Sequence, residues 1–170
     1  MNTQHQPSDY NDTHQIPEDE LSLTTLFRAG GSLYGLDSSL VREVVRAGDI
    51  TRIYDAPPDI LGVRNLRGRI VTIVDMGIHL GTEASRRHRD NRLILIDHDG
   101  DTYGFLVDAV LEAVSPDPGE LMPPTGNLTA AFSRRLLGLW RYHGEIASIL
   151  SAETLFDENL NDTAEQQHSL

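Results

Sequence analysis

Residues that could carry chemistry are few in this chain, and their spacing narrows them further. Asp97, Asp99 and Asp101 stand where the first three oxygen ligands of a calcium loop would stand, with Asp108 near the place of the last acidic ligand. Thr102, however, occupies the sixth position, where such a loop needs glycine for its sharp turn, and apolar runs flank the segment on both sides. A hairpin with an acidic tip is the expected structure, and a metal- or small-ligand-binding β-barrel using the Asp97 to Asp108 loop is the alternative. The seven His residues show no pair at metal-ligand spacing, and no Ser lies in a G-x-S-x-G elbow. All 14 cationic residues are Arg and the chain has no Cys, which excludes Schiff-base and Walker A lysines, thiol nucleophiles, thiolate zinc sites and iron–sulfur clusters. No catalytic residue, metal ligand or cofactor is expected.

Two concentrations of Arg stand out instead. Arg64, Arg67 and Arg69 fall within six residues, in a turn that also holds Asn65 and the glycines Gly62 and Gly68. A second cluster, Arg86, Arg87, His88, Arg89 and Arg92, lies in or beside residues 81–91, which contain no apolar residue larger than Ala and read as an exposed loop. No aromatic residue is interleaved there to stack on bases, and the chain as a whole carries a net charge of -12, so nucleic acid is not an expected partner. The acidity is unevenly spread. Residues 1–22 hold five acids and no base, and residues 157–170 hold four acids and no base, which leaves the segment between them at a net of -3. Both ends are poor in large apolar residues and are expected to be disordered acidic tails, at 1–21 and 158–170, around one folded unit at 22–157. No apolar run approaches the ~20 residues of a membrane span, and a cytoplasmic location is the expectation.

The elements that must position these residues are short. Apolar runs recur about every ten residues between Gly, Pro and Asp, the rhythm of a barrel or sandwich of short strands. Residues 22–37 read as a hairpin around Gly30 and Gly31, and residues 92–110 as a second one around Asp99-Gly100. Leu40, Val41, Val44 and Val45 fall at helical spacing behind Ser38 and Ser39, so a helix of about two turns is expected there. Residues 49–55 read as a strand halted by Pro57 and Pro58. Residues 62–68 read as a turn feeding a buried strand from Ile70 to Val74. Residues 115–127 form a loop by composition, followed by a short amphipathic piece near Ala130. Residues 136–156 read as strand, Gly144 turn, strand and a final helix capped near Ser151.

The stretch GVRNLRGRIVTIVDMGIHLG at 62–81 resembles the hallmark segment of the CheW family of chemotaxis coupling proteins. LYGLDSSLVREV at 33–44, ITRIYDAPPDILG at 50–62 and YGFLVDAVLEAV at 103–114 are similar to further motifs of that family in the same order. The resemblance implies a mainly β fold of two packed five-stranded SH3-like β-barrels with short helices. It implies a non-enzymatic adaptor that joins the cytoplasmic tip of a chemoreceptor to the regulatory domain of the histidine kinase CheA, monomeric alone and array-forming with its partners. Carried over by motif position, Asn65, Leu66, Arg67 and Gly68, with Glu43 and Val63, are the expected binding residues. Arg67 and Glu43 are expected to pair and fix the turn, while Ile70 is expected in the core. Departures occur at Thr72, where the family has Pro, at Met76-Gly77, where it has Leu-Arg, and at Ser151, where it has Asp. The same domain type occurs within CheA and beside a receiver domain in CheV, but the length and the lack of any Lys speak against both.

Overall fold

The computed structural model describes residues 23–157, so the two acidic tails read from composition lie outside the described residues. Ten strands follow in chain order: β1 (Thr24–Ala29), β2 (Ser32–Asp37), β3 (Glu43–Arg46), β4 (Ile60–Leu66), β5 (Arg69–Asp75), β6 (Arg92–His98), β7 (Asp101–Val107), β8 (Ala109–Val114), β9 (Leu136–Tyr142) and β10 (Glu145–Leu150). They form two five-stranded sheets, ordered β8-β1-β2-β10-β9 and β3-β6-β7-β5-β4. β10 runs parallel to β2 and β5 parallel to β7, while the other neighbours are antiparallel. Among the described residues there are also three one-turn α-helices, α1 (Met76–His79), α2 (Ala130–Ser133) and α3 (Ala152–Leu155), and two 3-10 turns at Ser38–Leu40 and Pro118–Glu120.

Strand alternation explains why the sequence shows apolar runs rather than a clean two-residue period. Each sheet curls around its own interior: Leu26, Leu33, Ala147 and Ile149 in the first, and Val71, Ile73, Leu93, Leu95 and Leu106 in the second. The intervening residues of the same strands point the other way and meet in a shared layer that includes Phe27, Tyr34, Val74, Ile94, Phe105 and Leu150. Strands buried on both faces need apolar residues at successive positions. The two barrels are therefore cemented by their outer faces, and neither could present that layer to water cheaply.

The two sheets repeat one plan. A hairpin (β1-β2 or β6-β7) lies beside the second strand of another hairpin (β9-β10 or β4-β5), and a fifth strand (β8 or β3) flanks the first. The chain crosses between sheets after β2 and after β7, so each barrel combines strands from both halves of the sequence. The correspondence reaches residues: Tyr34-Gly35 matches Tyr103-Gly104, Arg67-Gly68 matches His143-Gly144, and Glu43 matches Glu112. All four hairpins turn on two residues with positive φ, at Gly30-Gly31, Arg67-Gly68, Asp99-Gly100 and His143-Gly144, the type I′ geometry that matches strand twist.

Several expectations need correction. No α-helix follows Ser38. Asp37 caps a single 3-10 turn at Ser38–Leu40 by accepting from the Ser39 N–H, and the chain then extends into β3. The valines that look helical by spacing are held extended by antiparallel pairing of Glu43–Arg46 with β6, a tertiary contact that overrides a short periodic signal. The expected strand at 49–55 is reduced to one bridge between Thr51 and Val63, because Asp55 turns left-handed and Pro57 and Pro58 follow. The 62–68 turn is mostly strand β4, with only Arg67 and Gly68 turning. The 81–91 loop is exposed over most of its length, but Ser85 and Asn91 are buried as its anchors. The Ser85 N–H donates to the Asp75 carboxylate and Asn91 Nδ2 donates to the Val107 carbonyl.

Candidate protein-interaction site

The second barrel has a gap in its wall. β3 and β4 are the two ends of its sheet order, with no backbone ladder between them. Side chains close the gap. Arg64 Nη1 donates to the Arg46 carbonyl at 2.6 Å and to the Ala47 carbonyl at 2.5 Å. Arg67 reaches across from the β4-β5 turn and grips Glu43 with both ends of its guanidinium, Nη1 to Oε2 at 2.9 Å and Nη2 to Oε1 at 2.6 Å. This bidentate geometry is the one that a planar guanidinium and a carboxylate share. The bond to Arg67 holds the Glu43 carboxyl below its ordinary range against a smaller opposing effect of desolvation, with further help from the charges of Arg67 and Arg42. The same bond pushes Arg67 upward.

The turn itself is fixed from within. Asn65 Oδ1 accepts from the Gly68 N–H at 2.9 Å, and Gly68 occupies φ 82°, a conformation that glycine adopts at no steric cost. Arg67 takes φ 53°, uncommon for a residue with a Cβ, and its pairing with Glu43 gives that conformation a partner. Beneath the ion pair lies a depression of about 130 Å³ whose lining includes Val45, Leu66, Val71 and Leu95.

The expected residues are thus brought to one corner, in different roles. Asn65, Arg67 and Gly68 are exposed, and Leu66 is half-buried against the barrel interior, where it roots the turn. Val63 is half-buried, and its backbone is taken by Thr51 in both directions, at 2.9 and 2.8 Å. Glu43 belongs to a strand rather than to a helix end. The expected Arg67–Glu43 pair is present, though Arg67's side chain is 77% exposed, so the pair acts on geometry far more than on stability. Ile70 corrects the core expectation. It is 64% exposed because it lies on the opposite face of β5 from Val71 and Ile73, beyond the reach of the shared layer that buries Val74.

The equivalent corner of the first barrel escaped the reading of the sequence. There the Tyr142 hydroxyl donates to Glu112, which raises the phenol's pKa, and the pair bridges β9 and β8 as Arg67–Glu43 bridges β4 and β3. A signal for it exists in the matching patterns Val41-Arg42-Glu43-Val44-Val45 and Val110-Leu111-Glu112-Ala113-Val114. The acidic hairpin tip, by contrast, offers little to a cation. Asp97 accepts from Thr102 at 2.6 Å and from Arg42 at 3.0 Å, contacts that hold its carboxyl below the ordinary range. Among the described residues no group of three His, Asp or Glu side chains is placed to hold a metal ion.

The CheW-like domain family matches residues 24–160. The chain belongs to the CheW family. The Chemotaxis protein CheW of Helicobacter pylori is 25% identical to it over 140 residues, covering 78% of this chain and 80% of that protein. Protein PilI of Pseudomonas aeruginosa is 32% identical over 84 residues, about half of each chain (49% and 47%). Among solved structures, the scaffolding protein TtCheW of Thermoanaerobacter tengcongensis superposes with a TM-score of 0.70 at 29% identity, over 89% of this chain and 96% of that one. The paired five-stranded barrels are the CheW fold, and as a CheW-family member the chain is a non-enzymatic chemotaxis adaptor. Among the described residues no helix is long and apolar enough to cross a membrane.

Proposed function

We propose that this CheW-family adaptor couples the cytoplasmic tip of a chemoreceptor to the regulatory domain of the histidine kinase CheA in membrane-associated arrays, and that the Arg67 corner is one of its binding surfaces. The observation that carries this reading is the side-chain closure of the second barrel. A two-residue turn, fixed by Asn65 and clamped by Arg67 to Glu43, stands above an apolar depression and next to a largely exposed Ile70.

Such a corner suits a protein partner. It offers one apolar anchor, oriented guanidinium donors and a rigid backbone, so little ordering entropy is lost on contact. Val63 and Leu66 hold the turn from below, while Asn65, Arg67, Gly68 and Glu43 shape its outer face. Each contact of this size is weak alone, and assembly into an array supplies avidity through effective concentration. The equivalent Tyr142–Glu112 corner gives the adaptor a second, chemically different end.

Co-sedimentation tests the reading. Receptor-bearing membranes should pellet the wild-type chain together with CheA, and Arg67→Ala should reduce that pelleting while leaving the far-UV spectrum and melting temperature unchanged. Equal pelleting by wild type and variant would remove Arg67 from the surface.

A further inference from the structure

The arginines of this chain are unevenly placed. Residues 46–55, Arg64 and residues 86–92 hold seven of its 14 Arg against three Asp, a local net of +4, while the rest of the chain sets seven Arg against 23 acidic residues. The fold joins these segments into one surface of the second barrel. Arg46 on β3 and Arg92 on β6 are direct cross-strand partners, and the Ala47 N–H donates to the Asn91 carbonyl at 3.1 Å. Arg64 reaches the Arg46 and Ala47 carbonyls from β4. Arg52 and Arg87 line one depression of about 500 Å³, whose lining includes Ile53, Asp55, Pro57 and Pro58.

Barrel packing does not by itself call for this arrangement. Like charges directly opposite on neighbouring strands are destabilising, yet Arg46 stands opposite Arg92. Two of the side chains are held by carbonyls: Arg64 by those of Arg46 and Ala47, and Arg92 by those of Asp90 and Asn91, at 2.6 and 3.2 Å. A carbonyl fixes a guanidinium without cancelling its charge. The loops are pinned as well. The Thr51–Val63 bridge and the Ile60 N–H to Pro57 carbonyl bond hold one, while the Arg86 N–H on Asp108 and Asn91 Nδ2 on the Val107 carbonyl hold the other. Of the three Asp, Asp90 contacts His88 at 3.1 Å and Asp55 lies in the depression itself.

The form of this surface selects its ligand. Its charges are spread over strand ends and two loops instead of converging on one point, so they match several spaced carboxylates rather than a single phosphate group. Between them lies a concave, partly apolar floor at Ile53, Pro57 and Pro58, which a side chain can enter and the plane of a bilayer cannot. Ile53 is 47% exposed and so has area left to bury.

We propose that this face is a docking surface for an acidic segment of a partner protein, with carboxylates over the arginines and an apolar side chain seated against Ile53, Pro57 and Pro58. It would be a contact additional to the Arg67 corner and does not rest on the reading of that corner. Opposite charge speeds the encounter, and the attraction weakens as salt shortens the screening length, from about 10 Å at 0.1 M to about 3 Å at 1 M.

Titration of the full chain with a synthetic peptide, Glu-Leu-Glu repeated four times, tests this by amide chemical shifts. At low salt the amides of residues 46–55 and 86–92 should shift saturably, while those of residues 143–146 stay in place. Affinity should fall at least fivefold at 1 M salt and in the R52E/R87E double variant, and at least twofold in Ile53→Ser. R141E, a charge reversal on β9 of the first barrel, should bind within twofold of wild type. Arg52, Arg87, Ile53 and Arg141 are all exposed, so unchanged melting temperatures separate lost docking from lost folding. Equal binding of the peptide with Gln in place of Glu, shifts that are unsaturable or spread over both barrels, or R52E/R87E binding as wild type does would each overturn the proposal. So would tighter saturation of the same amides by inorganic tripolyphosphate or by phosphatidylglycerol vesicles, which would name a different class of ligand.

Discussion

Ile70 gives the sharpest quantitative handle on the proposed binding corner. Fully burying an isoleucine side chain is worth about 1.5–3 kcal/mol. At 64% exposure roughly two-thirds of that gain is still available to a partner, about 1–2 kcal/mol. With tenfold in affinity for each 1.4 kcal/mol, Ile70→Ser should weaken receptor binding about five- to twenty-fivefold. The same substitution should barely move the unfolding midpoint, because a change at a largely exposed strand position alters stability by only about 0.5 kcal/mol. Ile73→Ala on the same strand is the control. Ile73 is completely buried in the second barrel, so its truncation should cost about 2–5 kcal/mol of stability. Paired measurements, isothermal titration with a soluble receptor-tip fragment and chemical denaturation, read the two effects separately. A normal affinity for Ile70→Ser, or a loss of stability comparable with that of Ile73→Ala, would refute the assignment of this side chain to the interface.

Other outcomes follow from the same geometry. Arg67→Ala and Glu43→Gln should leave denaturation midpoints in place, since the pair is exposed, yet both should weaken partner binding, and the double variant should be no worse than the stronger single one. Gly62→Ala should destabilise by at least ~1–3 kcal/mol, lowering Tm by several degrees, because φ is 145° there and a Cβ would come to 2.0 Å from the Thr51 carbonyl oxygen. Asp59 sets an acid limit. Its bond to His79 holds the folded carboxyl below the ordinary 3.8, so the unfolded chain takes up the proton first. The stability it contributes is complete above about pH 4 and drains as pH falls through the lower folded value, and Asp59→Asn should flatten that acid limb in pH-dependent denaturation.

How far the sequence carries can be judged residue by residue. Asp99-Gly100 and Gly30-Gly31 announce their hairpins because turn chemistry is local, and the structure places the turns there. The Arg67–Glu43 contact is implied by family resemblance and is present, but its setting is not legible: Val44 and Val45 satisfy a helical and an extended pattern alike, and only pairing with β6 decides between them. Ile70 looks like core because it opens a β-branched run, and whether it is covered depends on how far the neighbouring barrel extends, which no local pattern records. Asp97 shows the same limit. Its spacing suggests an ion ligand, while Arg42, distant in sequence, and Thr102 already occupy its oxygens. Tyr142 and Glu112 become legible as a second corner only once the two halves of the chain are laid over each other.

The central claim is coupling, and reconstituted signalling measures it most directly. CheA autophosphorylation should be followed in membranes bearing receptor, with and without the full chain, and with and without attractant. Kinase activity should become receptor-controlled only when the chain is present, with no label entering the chain itself, and that control should decline with Arg67→Ala and Ile70→Ser. Kinase activity that ignores the chain at every ratio of receptor to CheA would contradict the account.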